Sequence, residues 1–125
     1  MGKAKVLYIE DNLDNMILVK RVLEIEGYEV IAAQTGAEGL ARAIQDRPDI
    51  IITDINLPDI DGYEITNSLK KNKKTAHIPV VAMTANVMKK DQDHVFDAGC
   101  DGYISKPIDI DELPEQIEIF LKGAA

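Results

Sequence analysis

Glu10 and Asp11 follow the apolar run Val6-Leu7-Tyr8-Ile9, and Asp54 ends the run Asp49-Ile50-Ile51-Ile52-Thr53. Short runs of this kind, rich in β-branched residues, read as strands. Two strands therefore end in acid. Side by side and parallel, they would bring three carboxylates to one sheet edge, where mutual repulsion calls for a cation or a proton. Thr84 follows Val80-Val81-Ala82-Met83, and Lys106 follows Tyr103-Ile104-Ser105, which adds a hydroxyl and an amine at two more strand ends. Carboxylate oxygens suit Mg²⁺, which keeps several waters and binds one or two carboxylates together with phosphate. In such a site Asp54 is placed to act as a nucleophile toward a phosphoryl group, Thr84 to donate a hydrogen bond to it and Lys106 to neutralise its charge. Phosphoryl transfer needs little beyond positioning and electrostatic stabilisation.

Plainer roles compete for the same residues. Glu10, Asp11 and Asn12 stand where a helix N-cap is expected, and a threonine after a strand is often a cap. A lysine before a proline is often a solvated loop residue. Against the capping reading of Asp54, the stretch Ile55-Asn56-Leu57-Pro58-Asp59-Ile60-Asp61-Gly62 postpones the next helix, and Asp59 or Asp61 can cap it instead.

The elements that must hold these groups alternate along the chain. Strands are predicted at Val6 to Ile9, Glu29 to Ala33, Ile50 to Thr53, Val80 to Met83 and Gly102 to Ile104. Between them, Met16, Val19, Val22 and Leu23 mark one helix face, with Gly27 as its stop. Leu40, Ala43 and Ile44 mark a second helix, which ends before Pro48, and Ile65 and Leu69 mark a third. Val87, Asp91, Val95 and Ala98 line a poorly apolar fourth, and Leu113, Ile117, Phe120 and Leu121 give the fifth a clear stripe. Helices between nearly continuous apolar strands imply a parallel sheet covered on both faces. The expected fold is a flavodoxin-like, doubly wound α/β domain of five strands, order 2-1-3-4-5, with five helices. Its topological switch lies between strands one and three, the two that end in acid, and ligands bind at that crevice.

A chain of 125 residues with 46% hydrophobic content is one ordinary domain. A net charge of −8 argues against direct nucleic-acid binding or attraction to an anionic membrane. A single cysteine, Cys100, suggests no oxidising compartment, and no apolar stretch approaches spanning length, so a cytoplasmic protein without membrane insertion is expected. The basic stretch Lys70-Lys71-Asn72-Lys73-Lys74 reads as a solvated helix end that complements the helix dipole. His77 falls on the edge opposite the acids, His94 in the fourth helix, and Cys100 reads as a small core residue.

Taken together, Glu10-Asp11, Asp54 with Pro58 and Gly62, Thr84-Ala85, and Lys106-Pro107 resemble, in order and spacing, the receiver domain of bacterial two-component response regulators. The resemblance covers essentially residues 1–125, and no main functional position departs from the pattern. It implies that Asp54 accepts a phosphoryl group from a phosphohistidine of a sensor histidine kinase or histidine phosphotransfer protein. It further implies that Asp11, Asp54 and the Asn56 carbonyl bind Mg²⁺, that Glu10 holds a metal-bound water, and that Thr84 and Lys106 contact the phosphoryl oxygens. Tyr103 matches the family's aromatic switch, which turns inward as Thr84 moves toward the phosphate. That switch would change the surface of the fourth helix, fifth strand and last helix for a downstream protein target. The contexts Thr84-Ala85-Asn86 and Ser105-Lys106-Pro107-Ile108 look most like stand-alone DivK-type regulators and the receivers of hybrid kinases.

Such a protein is a phosphoacceptor regulator with at most intrinsic self-phosphorylation and autodephosphorylation, not a turnover enzyme. No output domain is expected within this length, so the signal would leave through protein contacts or onward phosphotransfer. Two other classes stand beside this reading. A haloacid-dehalogenase-like hydrolase would want an acid two residues after the nucleophile, where Asn56 stands, and extra sequence to cap a substrate. An interaction module indifferent to phosphate would keep its partner after Asp54→Asn.

Overall fold

The computed structural model describes residues 4–55, 57–84, 99–106 and 108–123. Five strands, β1 (Lys5–Ile9), β2 (Glu29–Ala33), β3 (Ile50–Asp54), β4 (Val80–Thr84) and β5 (Gly102–Ser105), form one parallel sheet in the order β2-β1-β3-β4-β5. Among the described residues four helices accompany it, not five: α1 (Leu13–Ile25), α2 (Gly36–Asp46), α3 (Gly62–Lys71) and α4 (Leu113–Gly123). The expected helix marked by Val87, Asp91, Val95 and Ala98 lies outside the described residues, as do Asn56, Ala85, Asn86, His94 and Pro107.

Strand alternation divides the core in two. Val6, Tyr8, Ile50, Ile52, Val81, Met83 and Ile104 face Met16, Val19 and Leu23 of α1 and Leu113 and Ile117 of α4. Leu7, Ile9, Ile31, Ala33, Ile51 and Val80 face Ala43 of α2 and Ile65 and Leu69 of α3. Each fully buried aliphatic side chain contributes roughly 1.5–3 kcal/mol, so strands buried on both faces are the main source of cohesion. Ile44, placed on the inner face of α2 by its spacing, is 38% exposed.

The helix ends are set by short polar contacts. Asn12 Oδ1 accepts from the Asn15 amide and caps α1, and Asp61 Oδ1 accepts from the Tyr63 amide and caps α3. Gly27, at φ 97°, takes the left-handed conformation that ends α1. Asp59 does something the sequence did not suggest. Its carboxylate accepts from the amides of Gly36 at 2.8 Å and Ala37 at 2.9 Å, tying the loop after β3 to the first turn of α2. Those two amides hold the Asp59 carboxyl below its ordinary range.

The basic stretch is also corrected in part. Lys70 is no idle cation at a solvated helix end: its Nζ donates to the Ile78 carbonyl at 2.8 Å and pairs with Asp101 Oδ2 at 2.8 Å. The same Asp101 oxygen accepts from the Val80 amide at 2.8 Å. The end of α3 is thereby fastened to the entries of β4 and β5, at the sheet edge opposite the acids.

Candidate functional site

Register brings the acids together. β1 pairs with β3 from Val6 opposite Ile50 to Ile9 opposite Thr53, so the next residues at that edge are Glu10 and Asp54. Asp54 pairs with Met83 across β4, and Thr84 pairs with Ser105 across β5. Lys106 then follows, its amide donating to the Thr84 carbonyl at 2.8 Å. Asp54 and Thr84 are the last residues of their strands rather than loop residues, so both are paired within the sheet. Because Asn12 caps α1, Glu10 and Asp11 are released from capping.

Carboxylate oxygens of Glu10, Asp11 and Asp54 all lie within 4.8 Å of one another. Glu10 is fully buried, Asp54 is 4% exposed, and Asp11 is open to solvent. Lys106 Nζ reaches into this cluster, 2.8 Å from Asp54 Oδ2 and 3.2 Å from Glu10 Oε1. One ammonium against three carboxylates leaves an excess of negative charge, and the donors are hard oxygens. Both properties fit a small divalent cation held by Glu10, Asp11 and Asp54. Thr84 is buried at the neighbouring strand end.

Sequence reasoning missed the floor of the site. Tyr8 is fully buried, and its hydroxyl donates to Glu10 Oε1 at 2.9 Å while lying 3.5 Å from Met83 Sδ. Burial first, and then the Glu10 charge, push the Tyr8 phenol far above its ordinary value, so it remains a donor. Asn15 Nδ2 also approaches Glu10 Oε1 at 3.4 Å, and the Asn12 amide donates to Oε2 at 3.3 Å. The available signal was the period of two, which puts Tyr8 and Glu10 on one face of β1.

A close approach shapes the opposite wall. The Gly62 amide donates to the Ile55 carbonyl at 3.0 Å, and a Cβ at Gly62 would stand 2.7 Å from both the Asp54 carbonyl oxygen and Ile55 Cα. Only glycine lets α3 begin this near the residue that carries the carboxylate.

Burial, then hydrogen bonding and charge repulsion from Asp54, raise the Glu10 carboxyl above its ordinary 4.5, against the lowering by Tyr8 and Asn12. Burial lowers Lys106, but Asp54 and then Glu10 more than offset this, so its ammonium is held above 10.5 and stays charged at neutral pH. Both values rise, but with opposite effects on charge: attraction from both acids favours the charged lysine, whereas burial beside another acid disfavours the charged form of Glu10.

A raised acid favours the folded state most when protonated. Glu10's contribution is therefore fully present below about 4.5 and is lost as pH rises through its higher folded value. A bound divalent cation would oppose that loss. Urea denaturation with and without Mg²⁺ at pH 5 and pH 7.5 should show protection by the ion growing with pH, and Glu10→Gln should flatten the trend. Equal protection of the wild type at both values would count against it.

The remaining candidates fall where they were expected or further from the chemistry. Tyr103 is half-buried and packs with Ile55, Ala82 and Cys100. It also lines a cleft of about 370 Å³ with Ser105, Asp109, Glu112 and Gln116. Cys100 is buried against Thr66, its thiol pushed up by burial, as suits a core residue. His77 is exposed at the far edge.

Residues 6–118 match the family model described as the response regulator receiver domain. The chain belongs to the response regulator receiver family. The receiver is 43% identical over 119 residues to the polar-differentiation response regulator DivK of Brucella anthropi, covering 95% of this chain and 97% of that protein. It superimposes on the chemotaxis response regulator CheY4 of Vibrio cholerae with a TM-score of 0.89 at 28% identity, over 94% of this chain and 98% of the other. A second solved neighbour is the receiver domain of a sensor histidine kinase from Pseudomonas aeruginosa PAO1. That structure has a magnesium ion coordinated in its active site cleft; the TM-score is 0.88 at 29% identity, over 98% and 99% of the two chains. The receiver is thus a phosphoacceptor switch of two-component signalling, of a family of regulators rather than turnover enzymes. Among its described residues no helix is long and apolar enough to cross a membrane.

Proposed function

We propose that Asp54 is the phosphoacceptor and that residues 1–125 act as one cytoplasmic receiver domain. The observation that carries this is the convergence of Glu10, Asp11 and Asp54 at one sheet edge with the Lys106 ammonium on Asp54. The donor is a phosphohistidine of a sensor histidine kinase or histidine phosphotransfer protein. An Asp54 carboxylate oxygen forms the new bond to phosphorus as the bond to the imidazole nitrogen breaks, and the imidazole leaves. Lys106 balances charge on the phosphoryl oxygens, and Thr84 donates to one of them. Asp11, Asp54 and the Asn56 carbonyl are the residues that would bind Mg²⁺, with Glu10 holding it through a metal-bound water, and the ion when bound supplies charge neutralisation for the incoming phosphate. Support comes from the hard, negatively charged donor set and from the magnesium ion in the Pseudomonas neighbour. The activity of this site is at most intrinsic self-phosphorylation and autodephosphorylation. A small acyl phosphate should label the wild type with Mg²⁺ and fail to do so in EDTA, and equal labelling in both would remove the metal from the reading.

The output reading follows from Thr84 and Tyr103. Phosphate at Asp54 draws Thr84 inward, Tyr103 takes the vacated space, and the surface of β5, α4 and the expected helix over 87–98 shifts toward a form that binds a downstream protein. The half-buried ring supports this, since it packs with Ile55, Ala82 and Cys100 and also lines a cleft. Such a shift requires phosphate to contact the two states differently. Thr84→Ala should leave labelling of Asp54 within about threefold of wild type while removing most of the phosphorylation-dependent gain in partner affinity, a coupling of typically 1–3 kcal/mol. Retention of the full gain would exclude the route through Thr84.

A further inference from the structure

Tyr8 has a polar atom where the fold needs none. Its ring belongs to the core cluster that holds Val6, Ile52 and Met83, and a phenylalanine would fill nearly the same volume. Burying a hydroxyl is costly unless it is bonded, and core tyrosines usually satisfy it on whatever acceptor is near. Here the acceptor is Glu10 Oε1, at 2.9 Å. The phenol spans from β1 toward β4, where Met83 pairs with Asp54, and so lies beneath the acid cluster.

Glu10 is consequently held by three donors that do not belong to the charged cluster: Tyr8 Oη below, the Asn12 amide at the start of α1 and, at 3.4 Å, Asn15 Nδ2. Lys106 is a further donor, and it is shared with Asp54. An arriving divalent cation would compete with that ammonium for the same carboxylates. The Tyr8 and Asn12 contacts keep the Glu10 carboxylate oriented without it.

We propose that Tyr8 is a positioning residue for the metal site, its hydroxyl locking the Glu10 carboxylate in the orientation that a small divalent ion requires. This rests on the reading of Glu10, Asp11 and Asp54 as that site. Mg²⁺ demands near-ideal octahedral geometry, whereas Ca²⁺ accepts irregular and variable coordination. A locked carboxylate therefore favours Mg²⁺ over Ca²⁺, and releasing it narrows the discrimination.

The test is an NMR titration of the full chain with Mg²⁺ and, separately, Ca²⁺, in wild type, Tyr8→Phe, Glu10→Ala and the double variant. Tyr8→Phe should weaken Mg²⁺ binding roughly tenfold, the lower end of what is lost when a partner of a metal ligand is removed. Ca²⁺ binding should fall less, and in the Glu10→Ala background Tyr8→Phe should have no further effect, because the pair acts as a unit. Wild type that binds neither ion at Asp11 and Asp54 would overturn the metal-site reading itself. Wild type that binds Mg²⁺ while Tyr8→Phe matches it for both ions would overturn only the role of Tyr8. An equal loss with and without Glu10 would also overturn that role, marking a general structural effect. Should either variant fail to fold, the wild type decides: the Tyr8 ring resonances should move with the same Mg²⁺ midpoint as the Asp54 amide, and rings that stay fixed to saturation would refute the proposal.

Discussion

Asp54→Asn should abolish labelling by a small acyl phosphate, a loss of at least roughly 10³-fold of the kind seen when a reacting nucleophile is removed. The amide keeps the shape of the side chain but is a far poorer nucleophile. It also removes one of the two acids that Lys106 bridges, along with the repulsion between Asp54 and the buried Glu10. Those changes oppose one another, so metal-free stability should move by no more than about 1 kcal/mol, as for hydrogen-bonded replacements of similar shape. Mg²⁺ protection against urea should shrink, because one of three carboxylates is lost. Intact-protein mass spectrometry gives the labelling, and urea melts give the rest. Label that persists on Asp54→Asn in the presence of EDTA would refute the assignment of the acceptor.

Lys106→Ala should slow phosphorylation by about 10²-fold or more, the usual loss when one group aimed at developing charge is deleted. The ammonium lies 2.8 Å from Asp54 Oδ2, so it is already where charge on an attached phosphoryl group would develop. A second effect concerns the metal-free protein. Glu10 is fully buried and Asp54 nearly so, and without Lys106 their charges lose their nearest counter-ion among the described residues. Breaking a buried pair costs about 3–5 kcal/mol, but the lysine side chain is 21% exposed, and solvent screening reduces the expected loss to about 1–3 kcal/mol. Mg²⁺ should still bind and should recover much of that loss, since its competitor for the carboxylates is gone. Stopped-flow labelling and urea melts with and without Mg²⁺ test both parts. An unchanged phosphorylation rate together with an unchanged phosphorylated-state conformation would reject the role of Lys106.

Much of this molecule is local in origin and could be read from the chain. Each predicted strand lies within one residue of the observed one at either end, as with Val6 to Ile9 against Lys5–Ile9, because buried parallel strands are unbroken apolar runs bounded by turn residues. The order β2-β1-β3-β4-β5 was expected as the common one for five parallel strands alternating with helices, and with it the meeting of Glu10 and Asp54 at the switch point. Residue type and position thus determined the sheet, its reactive edge and the chemistry available there. Tertiary structure decided which groups touch. That Lys106, 52 positions from Asp54 and 96 from Glu10, bridges the two, that Asp59 accepts from the first amides of α2, and that Lys70 fastens Asp101 are contacts between segments distant in sequence, and that Tyr8 donates to Glu10, two residues on, is a choice of partner that their shared strand face permits but does not dictate. Apolar periodicity sets which face of an element is buried, but it carries no information about hydrogen-bond partners. Those are chosen only when packing has placed donor and acceptor within about 3 Å, because a hydrogen bond, unlike burial, depends steeply on distance and angle.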